Sequence, residues 1–279
     1  MTDPAALSGS DLSGIDWEDA FANGVHIPGG DAYPARWKKR AAGFRKNARA
    51  QVDLPYGTGR RDILDLFLPD GAPRGLAIFI HGGFWKAFDK STWSHLAAGP
   101  LARGWAVAMP SYTLAPDARI SEITAQVGCA IAHAADLTDG PIAVAGHSAG
   151  GHLATRMVCE DAPLPDPVAD RISSVLSISG VHDLRPLQLH SMNEDLRLDP
   201  EEAIAESPAL NRARPGLPIT AWVGARERPE FLRQSALLAE AWRAPLVVEP
   251  ERHHFDVIEG LADPDHPMTH ALLKEDADS

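Results

Sequence analysis

The sequence predicts an α/β fold in which a mostly parallel central sheet carries helices on both faces. Three observations lead there. Short apolar runs, rich in Val and Ile and mostly bounded by Gly or Pro, recur from about residue 60 onward. Helix-length segments separate most of these runs, and strand alternating with helix is the pattern of a parallel sheet covered on both sides. The composition, 44% hydrophobic and 23% charged over 279 residues, supplies a large core and excludes a disordered or fibrous chain.

The elements follow in order. Residues 1–50 are expected to form an N-terminal helical extension, with 33–50 a basic surface helix whose Arg36, Lys38, Lys39, Arg40, Arg45, Lys46 and Arg49 are solvated. Strands are expected at 63–68, 76–80, 105–109, 142–145, 175–178, 219–223 and 246–248. Helices are expected at 91–103, 120–137, 149–160 and 229–243. Residues 181–218 interrupt the rhythm with several prolines and mixed polarity, and read as an excursion over the sheet rim, the kind of segment that forms lids. No repeat and no linker divides the chain, so 1–279 is expected to be one domain.

The net charge of −12 disfavours nucleic acid and anionic membrane surfaces as partners, because phosphate and lipid headgroups repel an acidic chain. Cys129 and Cys159 are too few for a disulfide framework or a four-cysteine metal site, and a reducing, cytoplasmic location is expected. No apolar run reaches the roughly 18 residues of a membrane span, and residues 1–20 lack the pattern of a secretory signal.

Chemistry concentrates at strand ends. Gly146-His147-Ser148-Ala149-Gly150 follows an expected strand and opens an expected helix, the context a G-x-S-x-G turn needs. The glycines admit a sharp turn, and Ser148 is lifted clear of the sheet beside a helix N-terminus whose unpaired N–H groups suit a developing oxyanion. His81-Gly82-Gly83-Phe84-Trp85 follows another strand. Its backbone at Gly82, Gly83 and Phe84, together with the Ala149 N–H, is the expected oxyanion hole. A phosphate loop is the competing reading, but neither glycine-rich phosphate pattern is present.

A serine nucleophile needs a base, and the base an orienting carboxylate, in the chain order serine, acid, histidine. Of the 12 histidines, those after the last strand are His253, His254, His266 and His270. His254 is the chosen base and His253 the alternative, since both lie in the loop at the strand's carboxyl end. Glu227, in the loop after 219–223, is the expected acid. Glu230 falls in the following helix, and Asp256 is too near His254 in sequence to orient its ring. No metal-ligand spacing is present, so no metal and no cofactor are expected.

These motifs, with Leu64-Asp65-Leu66-Phe67-Leu68-Pro69, Ser179-Gly180, Asp183-Leu184, Pro229–Ser235 and His254-Phe255-Asp256, resemble the kynurenine formamidase (arylformamidase) type of α/β-hydrolase, close to the hormone-sensitive-lipase-like esterases. His81 to Trp85 matches that family's H-G-G-x-W signature. The family's usual acid is aspartate, where this chain has Glu227. The resemblance implies a serine hydrolase acting on an aryl formamide such as N-formylkynurenine, or alternatively on small-acyl esters. Phe84, Trp85 and Tyr112 are then candidates to wall the substrate pocket. The expected partners are a small-molecule substrate and, as a further option, a second copy of the chain in a homodimer.

Overall fold

Side chains along one inner strand show how the sheet is sandwiched. In β3 (Leu76–Ile80), Leu76, Ile78 and Ile80 join one apolar cluster while Ala77 and Phe79 join another on the opposite face, as the two-residue period of a strand requires. All five residues are buried. The computed structural model describes residues 14–275, so the part of the expected N-terminal extension over 1–13 lies outside the described residues.

Among the described residues the sheet has eight strands: β1 (Ala50–Pro55), β2 (Ile63–Phe67), β3, β4 (Ala106–Pro110), β5 (Ile142–His147), β6 (Ile172–Ile178), β7 (Ile219–Gly224) and β8 (Leu246–Glu249). Their spatial order is β1-β2-β4-β3-β5-β6-β7-β8. β2 pairs antiparallel with both β1 and β4, and every other pairing is parallel. This is the mostly parallel sheet of an α/β-hydrolase. β1 was not expected: it is a sheet edge, only partly buried, and its Ala-Gln-Val-Asp-Leu-Pro sequence carries no apolar run.

The helices are α1 (Trp17–Phe21), α2 (Tyr33–Arg45), α3 (Ala98–Ala102), α4 (Ile120–Leu137), α5 (Ala149–Arg156), α6 (Asp166–Ala169), α7 (Asn193–Leu196), α8 (Pro200–Ala205), α9 (Pro229–Trp242) and α10 (Pro267–Leu273). α4, α5 and α9 supply Ile123, Val127, Leu153 and Phe231 to one face. α2 and α10 supply Trp37, Met268 and Leu272 to the other. The expected helix over 91–103 is instead two 3-10 turns, Lys90–Thr92 and Ser94–Ala97, followed by α3. Trp93, between the turns, leaves the helical region at φ −118°, ψ 1°, which interrupts the continuous ladder a helix needs.

α2 is solvated along Lys38, Lys39 and Arg40, as its charge suggests. Its other side is not a free surface, because Trp37 and Ala41 are buried and Tyr33 packs on His253 and Phe255. The excursion over 181–218 contains α7, α8 and two 3-10 turns between β6 and β7.

Candidate active site

The carboxyl ends of β3, β5 and β7 and the loop after β8 bring the expected chemical groups to one rim. β5 ends at His147 and α5 starts at Ala149, which leaves Ser148 alone between strand and helix at φ 56°, ψ −120°. A non-glycine residue there is strained, typically by about 1–3 kcal/mol. Glycine is obligatory on either side: a Cβ on Gly146 would lie 1.9 Å from the Gly150 oxygen, and one on Gly150 would lie 2.0 Å from the Ile80 oxygen. The Ser148 N–H donates to the Ile178 carbonyl at 2.9 Å, which ties the turn to β6.

The loop after β3 wraps this turn. A Cβ on Gly82 would meet the His147 carbonyl at 2.6 Å, so Gly82 lets the loop lie directly against the elbow. Gly83, Phe84 and Trp85 follow with φ of 112°, 51° and 55°. Two bulky residues held in the left-handed region store strain that the surrounding structure must fix in place. Among the described residues the N–H groups of Gly83, Phe84 and Ala149 make no hydrogen bond, so three donors are available near Ser148.

His254 Nδ1 donates to Glu227 Oε2 at 2.6 Å, and both side chains are buried. That bond fixes the tautomer and leaves Nε2 as the lone-pair nitrogen. The other oxygen, Oε1, accepts from the Gly224 N–H at 2.7 Å and from the Ser179 hydroxyl at 2.5 Å. The added methylene of glutamate is thus taken up by a carboxylate clamped at three points. His253, the alternative base, faces away: its Nε2 lies 3.1 Å from the Tyr33 hydroxyl and its Nδ1 accepts from the Phe255 N–H. Glu230 is committed to Arg233 and Gln234. His266 and His270 lie at the start of α10 and within it. Ser148 and His254 face the same cavity, and the Ser148 hydroxyl makes no hydrogen bond among the described residues.

Sequence reasoning missed two supporting residues. Ser179, at φ 50° just past β6, anchors Glu227 although its segment was singled out only as a resemblance. His147 donates from Nε2 to the His254 carbonyl at 2.9 Å and lies ring to ring with it at 4.6 Å. Burial, with a lesser contribution from the neighbouring His254, holds the His147 imidazole well below its ordinary pKa, and so neutral.

The cavity above Ser148 is about 450 Å³ and is walled mainly by aromatic and aliphatic groups: Phe21, Trp37, Phe84, Phe88, Trp93 and Phe255. Phe84 lines it as expected. Trp85 and Tyr112 do not, which corrects their expected role as pocket walls. Both are fully buried and neither is among the residues that line the cavity. Trp85 donates to His152 Nδ1 at 3.3 Å, and Tyr112 donates to the His81 carbonyl at 2.8 Å while stacking on the His81 ring. Much of the roof comes from Glu18 to Trp37, whereas the 181–218 excursion contributes His190 and Met192. Among the described residues no helix is long and apolar enough to cross a membrane, and no cluster of three or more His, Cys, Asp or Glu could hold a metal ion.

Comparison with known proteins adds ancestry to this geometry. A family model described as BD-FAE matches residues 64–215. Kynurenine formamidase of Danio rerio is 30% identical over 246 residues, covering 82% of this chain and 83% of that protein. Kynurenine formamidase of Salmo salar is 30% identical over 253 residues, covering 85% and 84%. Among solved structures, a Silicibacter sp. TM1040 protein provisionally assigned as a thioesterase is 52% identical, with a TM-score of 0.91 over 93% of this chain and 100% of its own. An esterase from Lactobacillus rhamnosis shares the fold, with a TM-score of 0.65 and 17% identity over 88% of this chain and 93% of that one.

Proposed function

This chain belongs to the kynurenine formamidase-like family of α/β-hydrolases and is a hydrolase of formamide or ester type; from that premise we propose that it removes a small acyl group, foremost the formyl group of an aryl formamide such as N-formylkynurenine, through a Ser148-His254-Glu227 triad. The observation that carries the proposal is the Glu227–His254 hydrogen bond at 2.6 Å on the cavity that also holds Ser148.

In this reading Ser148 Oγ attacks the carbonyl carbon while His254 Nε2 takes its proton. Glu227 stabilises the imidazolium that forms. The N–H groups of Gly83, Phe84 and Ala149 hold the oxyanion, with Gly82 admitting the close approach of their loop. His254 then protonates the departing amine or alkoxide, and water resolves the acyl-enzyme by the same route in reverse. The rings of Trp37, Phe84 and Phe88 offer an aromatic leaving group flat apolar walls. No cofactor takes part.

A second reading, small-acyl esters or thioesters on the same triad, is favoured by the Silicibacter relative's provisional assignment at 52% identity. Initial rates on N-formylkynurenine, p-nitrophenyl acetate and an acetyl thioester decide between the two. Formamide turnover that disappears in Ser148→Ala supports the first. Ester or thioester turnover without formamide turnover replaces it with the second. An intact protein that turns over none of the three and resists a fluorophosphonate probe refutes both.

A further inference from the structure

Among the described residues three side chains of the cavity wall carry a buried donor without a partner: Trp37 and Trp93 through Nε1, and Asn23 through Nδ2. Asn23 stands at the N-cap of the 3-10 turn Gly24–His26, a position where asparagine ordinarily folds back to accept from the turn's own N–H groups. Here it makes no capping hydrogen bond. It is only 5% exposed, it lines the cavity above Ser148, and its Nδ2 is buried without a partner. Its carboxamide makes no hydrogen bond to any described residue. Buried amides are nearly always paired, so an unpaired one beside a ligand cavity points to a partner supplied by the ligand.

The surroundings define that partner. Phe21, Phe88 and the rings of Trp37 and Trp93 make the cavity wall largely apolar, with the two indole N–H groups as its other unpaired donors. Among the described residues lining the cavity there is no Lys or Arg. The one carboxylate, Glu18, already accepts from the Ser191 N–H and hydroxyl. Beside Asn23 a carbonyl or amide group would find a donor and an acceptor on one side chain. We propose that Asn23 is a specificity-determining residue that hydrogen-bonds the carbonyl of a second substituent on an aromatic substrate. The proposal rests on the acyl-transfer reading of Ser148.

Two matched substrate pairs test it: formanilide against 2-formamidoacetophenone, and phenyl acetate against 2-acetylphenyl acetate. In each pair only the second member carries the extra carbonyl. Intrinsic reactivity cancels when the ratio of kcat/KM within a pair is compared between wild type and variant. Asn23→Ala and Asn23→Leu are expected to lower that ratio by about 10-fold, through KM on the carbonyl-bearing member, and to leave the plain member unchanged. Asn23→Leu is also expected to raise the unfolding temperature, because it removes an unpaired amide from an apolar wall. A structural asparagine would do the opposite.

Calorimetric binding of 2-aminoacetophenone and aniline to Ser148→Ala protein, with and without Asn23→Ala, gives a readout free of catalysis. Loss of the preference for 2-aminoacetophenone supports the proposal. An unchanged ratio and unchanged binding in folded variants, or a lower unfolding temperature for Asn23→Leu, overturns it. Failure of the catalytic reading is separately visible, as absence of turnover on all four probes while the binding preference is still measured.

Discussion

Replacing Ser179 with alanine tests whether the Glu227 carboxylate is the fixed point of the site. Glu227 is buried and holds three partners: Gly224 N–H, Ser179 Oγ and His254 Nδ1. Ser179→Ala deletes the shortest of these, at 2.5 Å, without altering the other two residues. A hydrogen bond to a charged group is worth about 1.5–3 kcal/mol. Taken wholly from the transition state, in which the imidazolium leans on Glu227, that is a loss of about 10- to 100-fold in kcat. Taken wholly from the fold, about 2 kcal/mol lowers the unfolding temperature by roughly 4–8 °C. The backbone supplies an internal control. Ser179 sits at φ 50°, where an L-residue is strained and glycine is not. Ser179→Gly therefore loses the same hydrogen bond but relieves the strain, and should unfold later than Ser179→Ala by about 1 kcal/mol. Steady-state hydrolysis of p-nitrophenyl acetate and thermal unfolding followed by circular dichroism measure both quantities. Wild-type kcat together with a wild-type midpoint in Ser179→Ala would refute the clamp.

Three other outcomes follow from the geometry. Glu227→Gln should reduce kcat by roughly 10⁴, by analogy with other triads, while Glu230→Gln stays active; the reverse pattern would move the acid to α9. Gly146→Ala places a Cβ 1.9 Å from the Gly150 oxygen, so the elbow must open by about 1 Å, and Ser148 labelling by a fluorophosphonate should slow by about 10²-fold. Burial lowers the pKa of His81 to about 4 and those of His152 and His182 to about 3. These imidazoles gain a proton on unfolding, so stability is fully present above about pH 6.5 and falls as the solution is acidified; His81 alone should make the urea-unfolding free energy roughly 2 kcal/mol smaller at pH 5 than at pH 8, and His81→Phe should flatten that slope.

The inner sheet was legible because β3 to β7 are buried on both faces and so read as apolar runs. β1 was not, since an exposed edge strand needs no such run. The places of Ser148, Glu227 and His254, the residues of the proposed triad, follow a related rule: strand ends and glycine turns fix where they emerge. The cavity walls obey no local rule. Asn23, Trp37 and Phe255 meet only through the packing of distant segments, and α2 shows a basic pattern that says nothing of what its Trp37 face covers. Trp85 misled because its place in the motif lies beside the oxyanion loop, while its φ of 55° accompanies a ring buried inward, to His152.

α1 is only five residues long, yet it helps to close the site. Trp17 and Phe21 fasten it to the core, while its polar side holds on through Asp19 to Arg228 and Glu18 to Ser191, both solvent-exposed. Of these two contacts only Asp19–Arg228 is an ion pair, and such a pair in contact with solvent contributes little and weakens in salt. The polar contacts of this strap therefore loosen more readily than the buried Trp17 and Phe21 that anchor it. Rising ionic strength should weaken the Asp19–Arg228 pair, and with it the hold of this segment over the cavity that Glu18 and Phe21 line.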